Sequence, residues 1–200
     1  MTASTASPDA LRLVIDCASE ACTVALIDGA RVVDARHEVI GRGHAERLVP
    51  LIAELQDGGR AAGILVGCGP GSFAGVRIGV AAARALGLAW GVPVRGFSTP
   101  ALVAAAAAAP IAAAGGALVV MEGGHGQWFV QPFGAELTPR GPVQSLLPEV
   151  AVASGEALIV GNRAEAFVAR RGFGEALAML PDARGRRRDA GLVAFRAMPE

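Results

Sequence analysis

Gly63 to Trp90, GILVGCGPGSFAGVRIGVAAARALGLAW, decides how the chain is read. Its opening aliphatic run, Gly63 to Gly67, reads as a buried strand. A glycine-rich turn follows, Cys68 to Gly75 (CGPGSFAG). Val76 to Trp90 then reads as a helix that is apolar almost all round. Strand, glycine turn and helix together are the geometry that cradles phosphate at a helix N-terminus. Gly69, Gly71 and Ala74 fit the loose G-x-G-x-x-A pattern. That pattern wants an acid about 20 residues further on, and this chain has no Asp or Glu between Asp57 and Glu122. A Walker loop needs a lysine to reach the phosphates, and the chain has none. Ser72 is not a nucleophile elbow, because Pro70 and Ala74 stand where that turn needs glycines. Two readings stay open. Asp16, Gly69, Gly71 and Ser72 contact a nucleotide or phosphate, or the glycines simply let the helix lie close to its strand.

Upstream, Leu11 to Asp16 (LRLVID), Thr23 to Ile27 and Arg31 to Glu38 read as three strands. Asp28-Gly29 marks a hairpin turn, so the three form an antiparallel meander. His44 to Asp57 has helical spacing, with Leu48, Leu51, Ile52 and Leu55 on one face and Pro50 as a weak point. Gly58-Gly59 stops it. Downstream come a strand at Val92 to Phe97, an alanine helix at Thr99 to Ala109, and strands at Ala117 to Met121 and Gln127 to Phe133. A strand at Ala157 to Val160, a helix at Arg163 to Arg171 and a final helix at Leu192 to Met198 complete the reading. The order β-β-β-α-β-α-β-α, then a second mixed set, predicts a layered α/β fold in two lobes. The expected division is a polar, disordered tail over 1–9, a first lobe over 10–100 and a smaller, shortened second lobe over 101–200.

The 200 residues carry 18 basic and 18 acidic groups, so no net charge draws the chain to nucleic acid. Hydrophobic residues make up 52%, which excludes general disorder. Three cysteines, Cys17, Cys22 and Cys68, form no disulfide framework and suit a reducing cytoplasm. Phe97 to Met121 holds no charge, but Pro100, Pro110 and Gly115-Gly116 break it, so a buried helix, turn and strand are expected rather than a membrane span. Arg184 to Arg188 is the one basic cluster and reads as a solvated loop.

No metal site is expected, since the i+4 partner of His44 is Leu48, and His37 and His125 sit in other elements with no Cys or acid at ligand spacing. Asp16, with Glu20 four residues on, either caps a turn or holds a metal-bound water, the cap being favoured. Gly75, Gly79, Ala83 and Gly87 make a stripe of small residues. Such a stripe admits another helix at close range, either a partner's or an element of this chain.

Ile64 to Ala104, with its GPGSFAGVRIG run and the later Gly96-Phe97-Ser98-Thr99, closely resembles the TsaB (YeaZ) family of dimerisation subunits. Val14-Ile15-Asp16, Cys22 to Leu26, and His44 with Leu48 and Pro50 match it too; the likeness is close over Leu11 to about Ala105 and loose beyond. The resemblance implies a degenerate two-lobed actin-like, RNase H-like fold of the sugar kinase, chaperone and actin superfamily. It implies a non-catalytic, cytoplasmic subunit that binds TsaD in the bacterial machinery for tRNA threonylcarbamoyladenosine. TsaE would join through the complex, tRNA would be met only there, and the chain would form a homodimer when alone. TsaD carries a helical His-x-x-x-His metal site, which Leu48 spoils here. No cofactor is expected of this chain, any ATP or ADP lying with the partner or at the interface. The helices would meet TsaD through His44, Arg47, Leu48, Leu51, Val76, Gly79, Val80, Ala83, Arg84 and Gly87. Two departures concern the second half. Glu122-Gly123-Gly124 stands where the family has Asp-Ala-Arg, and no Pro-x-Tyr-Leu-Arg ending is present. A stand-alone actin-like ATPase or a peptidase is the rival expectation.

Overall fold

The structure is a computed structural model and describes residues 11–29 and 31–180. The readings for 1–9, 184–188 and 192–198 lie outside the described residues.

The expected meander is present as β1 (Leu11–Asp16), β2 (Ala21–Asp28) and β3 (Arg31–Val39), paired antiparallel with Leu11 facing Asp28 and Asp28 facing Arg31. After α1 (His44–Ala53) and a 3-10 turn at Gln56–Gly59 come β4 (Ile64–Gly67), α2 (Phe73–Trp90) and β5 (Val94–Phe97). β4 lies parallel to β1, and β5 to β4, so the first sheet runs β3-β2-β1-β4-β5. α3 (Thr99–Ala106) and α4 (Ala108–Ala114) lead to β6 (Gly116–Glu122) and β7 (Trp128–Gly134). β8 (Gln144–Leu146), α5 (Pro148–Ala151), β9 (Leu158–Val160), α6 (Ala164–Arg171) and β10 (Glu175–Leu177) finish the described chain. The second sheet runs β8-β7-β6-β9-β10, the same order and strand directions as the first. β8, α5 and β10 were not expected from the sequence.

Strand alternation sorts the core into layers. Leu13 and Ile15 of β1 face α1 and α2, packing with Leu48, Leu51, Ile52 and Ala83. Val14, with Ala25, Leu65 and Phe97, faces the other way onto Leu102 of α3. α3 and α4 turn Val103, Ala104, Ala107 and Ile111 to the second sheet, against Val119, Phe133 and Val160. Beyond that sheet, Leu118, Val120, Trp128 and Ile159 pack on Ala151, Ala164 and Phe167 of α5 and α6. The result is helix, sheet, helix, sheet, helix.

This layering explains the first part of the charge-free stretch. α3, held between the two sheets, has little side left for water and carries small apolar residues, whereas α4 buries Ile111 alone and leaves most of its alanines exposed. The single helix expected over Thr99 to Ala109 is two, meeting at Ala107, whose φ of −103° and ψ of 20° leave the helical region. Pro110 has no N–H to offer Ala106, so the ladder must restart there.

Candidate interface and cleft

α2 starts at Phe73, three residues before the sequence expectation, because Ser72 caps it: the Ser72 hydroxyl accepts from the Gly75 amide at 3.2 Å. Its buried residues are Gly75, Gly79, Ala83 and Gly87. A Cβ on Gly75 would overlap the Cys17 carbonyl oxygen, and one on Gly87 would overlap Val94. At Gly79 a Cβ would sit 3.7 Å from both Cys17 and Val66. The small-residue stripe therefore seats α2 on its own sheet. This corrects the placing of Gly79, Ala83 and Gly87 at a partner face.

α1 brings a similar correction. His44, Leu48 and Leu51 are buried in the first core, and His44 Nε2–H donates to the Ala21 carbonyl at 3.3 Å. Val76 and Val80 are half-buried, as is Arg47, which bridges Glu38 (2.6 Å) and Glu54 (2.8 Å). Among the ten interface residues read from the sequence, Arg84 alone is exposed.

The free surface is the opposite side of the same two helices. Phe73, Ala74, Arg77, Ala81, Ala85 and Leu88 of α2 join Arg84 there, and Val49 stands out from α1. Leu88 is 86% exposed, Phe73 72% and Val49 56%. The Arg77 guanidinium lies 3.8 Å over the Phe73 ring. α2 is long and apolar enough by length and composition to cross a bilayer, with only 22% of it buried in the folded chain. The signal for this face was available in the sequence: once the glycines are assigned inward, helical period puts Phe73, Arg77, Ala81, Arg84 and Leu88 outward.

Between the sheets lies a cleft of about 750 Å³. One wall is the β1–β2 turn (Ala18, Ser19, Glu20) with Gly71, Ser72 and Phe73; the other is the β6–β7 turn with Asn162 and Arg163. These two turns occupy the same place in the two matching sheets. Each preceding strand ends in an acid, Asp16 or Glu122. Asp16 is 1% exposed and does not line the cleft. Its carboxylate accepts from the Ala18 amide (3.0 Å) and the Thr99 hydroxyl (3.3 Å), so it caps the turn and ties β1 to α3. Burial pushes its pKa up to about 6, against the pull of those two bonds. Gly67 is required beside it, since a Cβ there would overlap the carboxylate.

The glycine turn is occupied by packing. Ser72 N–H donates to the Ala18 carbonyl at 2.6 Å, and a Cβ on Gly71 would overlap that same oxygen. Gly69, at φ +82°, offers its carbonyl to the Thr99 amide at 3.0 Å. Of the four residues read as phosphate contacts, Gly71 and Ser72 reach the cleft, while Asp16 and Gly69 serve the link to α3. In the second wall Glu122 pairs with Arg163, and its amide bonds the Asn162 side chain at 2.9 Å. Among the described residues no three His, Cys, Asp or Glu side chains converge on a point that could hold a metal.

Two matching sheets around a cleft define a protein of the actin-like class. A solved structure from Bacteroides thetaiotaomicron, described as having an actin-like ATPase fold and unknown function, superposes with a TM-score of 0.52 at 7% identity, over 98% of this chain and 99% of that one. YeaZ from Pseudomonas aeruginosa superposes far better, with a TM-score of 0.75 at 28% identity, over 94% of this chain and 93% of that one. Residues 35–142 match the family model described as TsaD, tRNA N6-adenosine threonylcarbamoyltransferase. The tRNA threonylcarbamoyladenosine biosynthesis protein TsaB of Escherichia coli is 40% identical over 92 residues, which are 44% of this chain and 39% of that protein. An uncharacterized protein of Mycobacterium tuberculosis is 42% identical over 91 residues, 42% of this chain and 43% of its own. The chain belongs to the TsaB (YeaZ) family. The aligned part spans about two fifths of these curated relatives.

Proposed function

We propose that the chain is a non-catalytic scaffold subunit, which binds TsaD in the cytoplasm and supports transfer of a threonylcarbamoyl group to N6 of an adenosine beside the tRNA anticodon. One observation carries this reading: α2 is seated flush on its sheet by glycines, yet leaves Phe73, Ala81, Ala85 and Leu88 bare. An apolar helix face of that kind marks a protein contact. Two further facts support it. The solved YeaZ structure is matched over nearly the whole chain. His44, the position resembling a TsaD metal ligand, spends its Nε2–H on a backbone carbonyl beside Leu48. TsaE would join through TsaD, and tRNA would be met in the assembly. Any ATP or ADP would lie with the partner or at the contact. Without TsaD the same face would pair two copies of the chain.

The test is co-purification with TsaD, together with mass spectrometry of tRNA nucleosides from cells depleted of this protein. Loss of the modified adenosine, restored by the natural chain and not by a Leu88→Glu variant, is expected. Normal modification in depleted cells overturns the reading. The cleft of about 750 Å³ favours a second reading, a stand-alone ATPase of the actin-like class. Calorimetric titration with Mg-ATP separates the two: heat and turnover from the isolated chain would support the ATPase.

A further inference from the structure

Cys17 and Cys22 flank the connecting turn of the β1–β2 hairpin. The last paired residues are Asp16 and Thr23, so the two cysteines are the next facing positions. Their sulfurs lie 3.7 Å apart, and the side chains are 1% and 0% exposed. We propose that this thiol pair is a reversible oxidation site, converted by a small hydroperoxide into an intramolecular disulfide.

Three features support it. Facing residues of an antiparallel pair bring their Cβ atoms within reach of a disulfide's span, and closing the bond needs a sulfur shift of under about 2 Å. The two thiols also share a proton. The hydrogen bond between the two sulfurs lowers the Cys22 pKa against the effect of burial. That same hydrogen bond, with burial and the neighbouring charge, raises Cys17. The Arg47 guanidinium favours a Cys22 thiolate, while Glu38 and Asp16 oppose it. Finally, the turn that joins the pair, Ala18 to Glu20, forms the wall of the cleft, so opening of that turn admits a small oxidant.

The chemistry balances. Cys22 loses its proton and its thiolate attacks the peroxide: an S–O bond forms, the O–O bond breaks, and the departing hydroxide takes that proton as water. The Cys17 sulfur then displaces hydroxide from the sulfenic sulfur, and its own proton completes a second water. Two thiols give up two electrons, and the peroxide accepts them. Cys17 also lies over Gly79, and its carbonyl seats Gly75, so the new bond would brace the floor under α2.

The experiment uses the natural chain, with exposed Cys68 as an internal gauge. The protein is exposed to graded hydrogen peroxide, quenched with catalase, unfolded and alkylated with iodoacetamide. Tryptic cleavage after Arg12 and Arg31 puts both cysteines in one peptide. The expected result is that this peptide becomes unalkylated and lighter by two hydrogens in most of the protein, and that dithiothreitol reverses the change. In a Cys17→Ser variant, Cys22 should instead be trapped as a dimedone adduct. The proposal is overturned if the peptide stays doubly alkylated at a peroxide dose that oxidises Cys68. It is equally overturned if either cysteine is recovered joined to Cys68.

Discussion

The two halves of the molecule repeat one sheet and differ in what covers it. In the first, the crossovers are α1 of ten residues and α2 of eighteen. In the second they are α5 of four and α6 of eight. α2 lies close on its sheet through glycines and shows an apolar outer face; α6 anchors through Phe167 and shows Glu165, Ala169 and Arg170 to water. The strand-end acids diverge as well. Asp16 is buried and bonded across to α3, whereas Glu122 sits half-exposed against Arg163. The same scaffold thus carries an exposed apolar helix face on one half and a more polar, solvated one on the other.

The sharpest way to break this contrast is through the glycines. Gly75→Val drives a side chain into the Cys17 carbonyl, which cannot yield without moving β1. Overpacking of this sort costs about 3 kcal/mol or more, so soluble, cooperatively melting protein should be lost. Gly124→Ala in the opposite turn has open space and should change stability by under about 0.5 kcal/mol in thermal unfolding.

Asp16→Asn tests the buried acid. A pKa raised from 3.8 to about 6 means that the folded state holds the proton more tightly than the unfolded chain. This favours folding fully below pH 3.8 and is lost as pH rises through about 6. The ionised carboxylate is thus disfavoured at neutral pH by on the order of 3 kcal/mol. The asparagine variant should therefore be the more stable at pH 8, with the gap closing as the buffer falls from pH 6 to pH 4. A natural chain that outlasts the variant at pH 8 would show that the Ala18 and Thr99 bonds outweigh burial.

Placing an arginine at Ala85 on α2, or at Ala169 on α6, compares the two outer faces directly. Loss of a well-packed interface centre costs about 2 kcal/mol, roughly thirtyfold in affinity. Ala85→Arg should weaken TsaD capture by that much without shifting the melting temperature, and Ala169→Arg should leave capture unchanged. A small effect is also expected at Glu122→Gln. Its pairing with Arg163 is half-exposed, and such pairs contribute about 0–1 kcal/mol. Equal melting curves at high salt would bear this out.

The first half was legible because its signals are strong. LRLVID and GILVG are continuous aliphatic runs, and His44 to Leu55 repeats at helical spacing. Only the end of that helix was overrun, since Gln56–Gly59 is a 3-10 turn. β8 and β10 escaped notice because each is a three-residue edge strand, mostly polar or half-exposed, with no alternation to read. The glycine stripe on α2 was visible, but a stripe does not say what lies against it. Its owner is decided by atoms of Cys17, Val66 and Val94, which sequence spacing brings nowhere near it. The same ambiguity put His44, Leu48 and Leu51 on the surface, although an apolar helical face is first of all a face for its own sheet.

The alanine layer sets a thickness. Alanines on α3 and at its end let both sheets close on that helix from opposite sides, with Leu102 toward the first and Val103, Ala104 and Ala107 toward the second. The distance between the two cleft walls is thereby fixed from behind, at the floor, by residues that never touch its contents. Every methylene added along Ala104, Ala105 or Ala107 would act as a shim, spreading the walls without altering one of them.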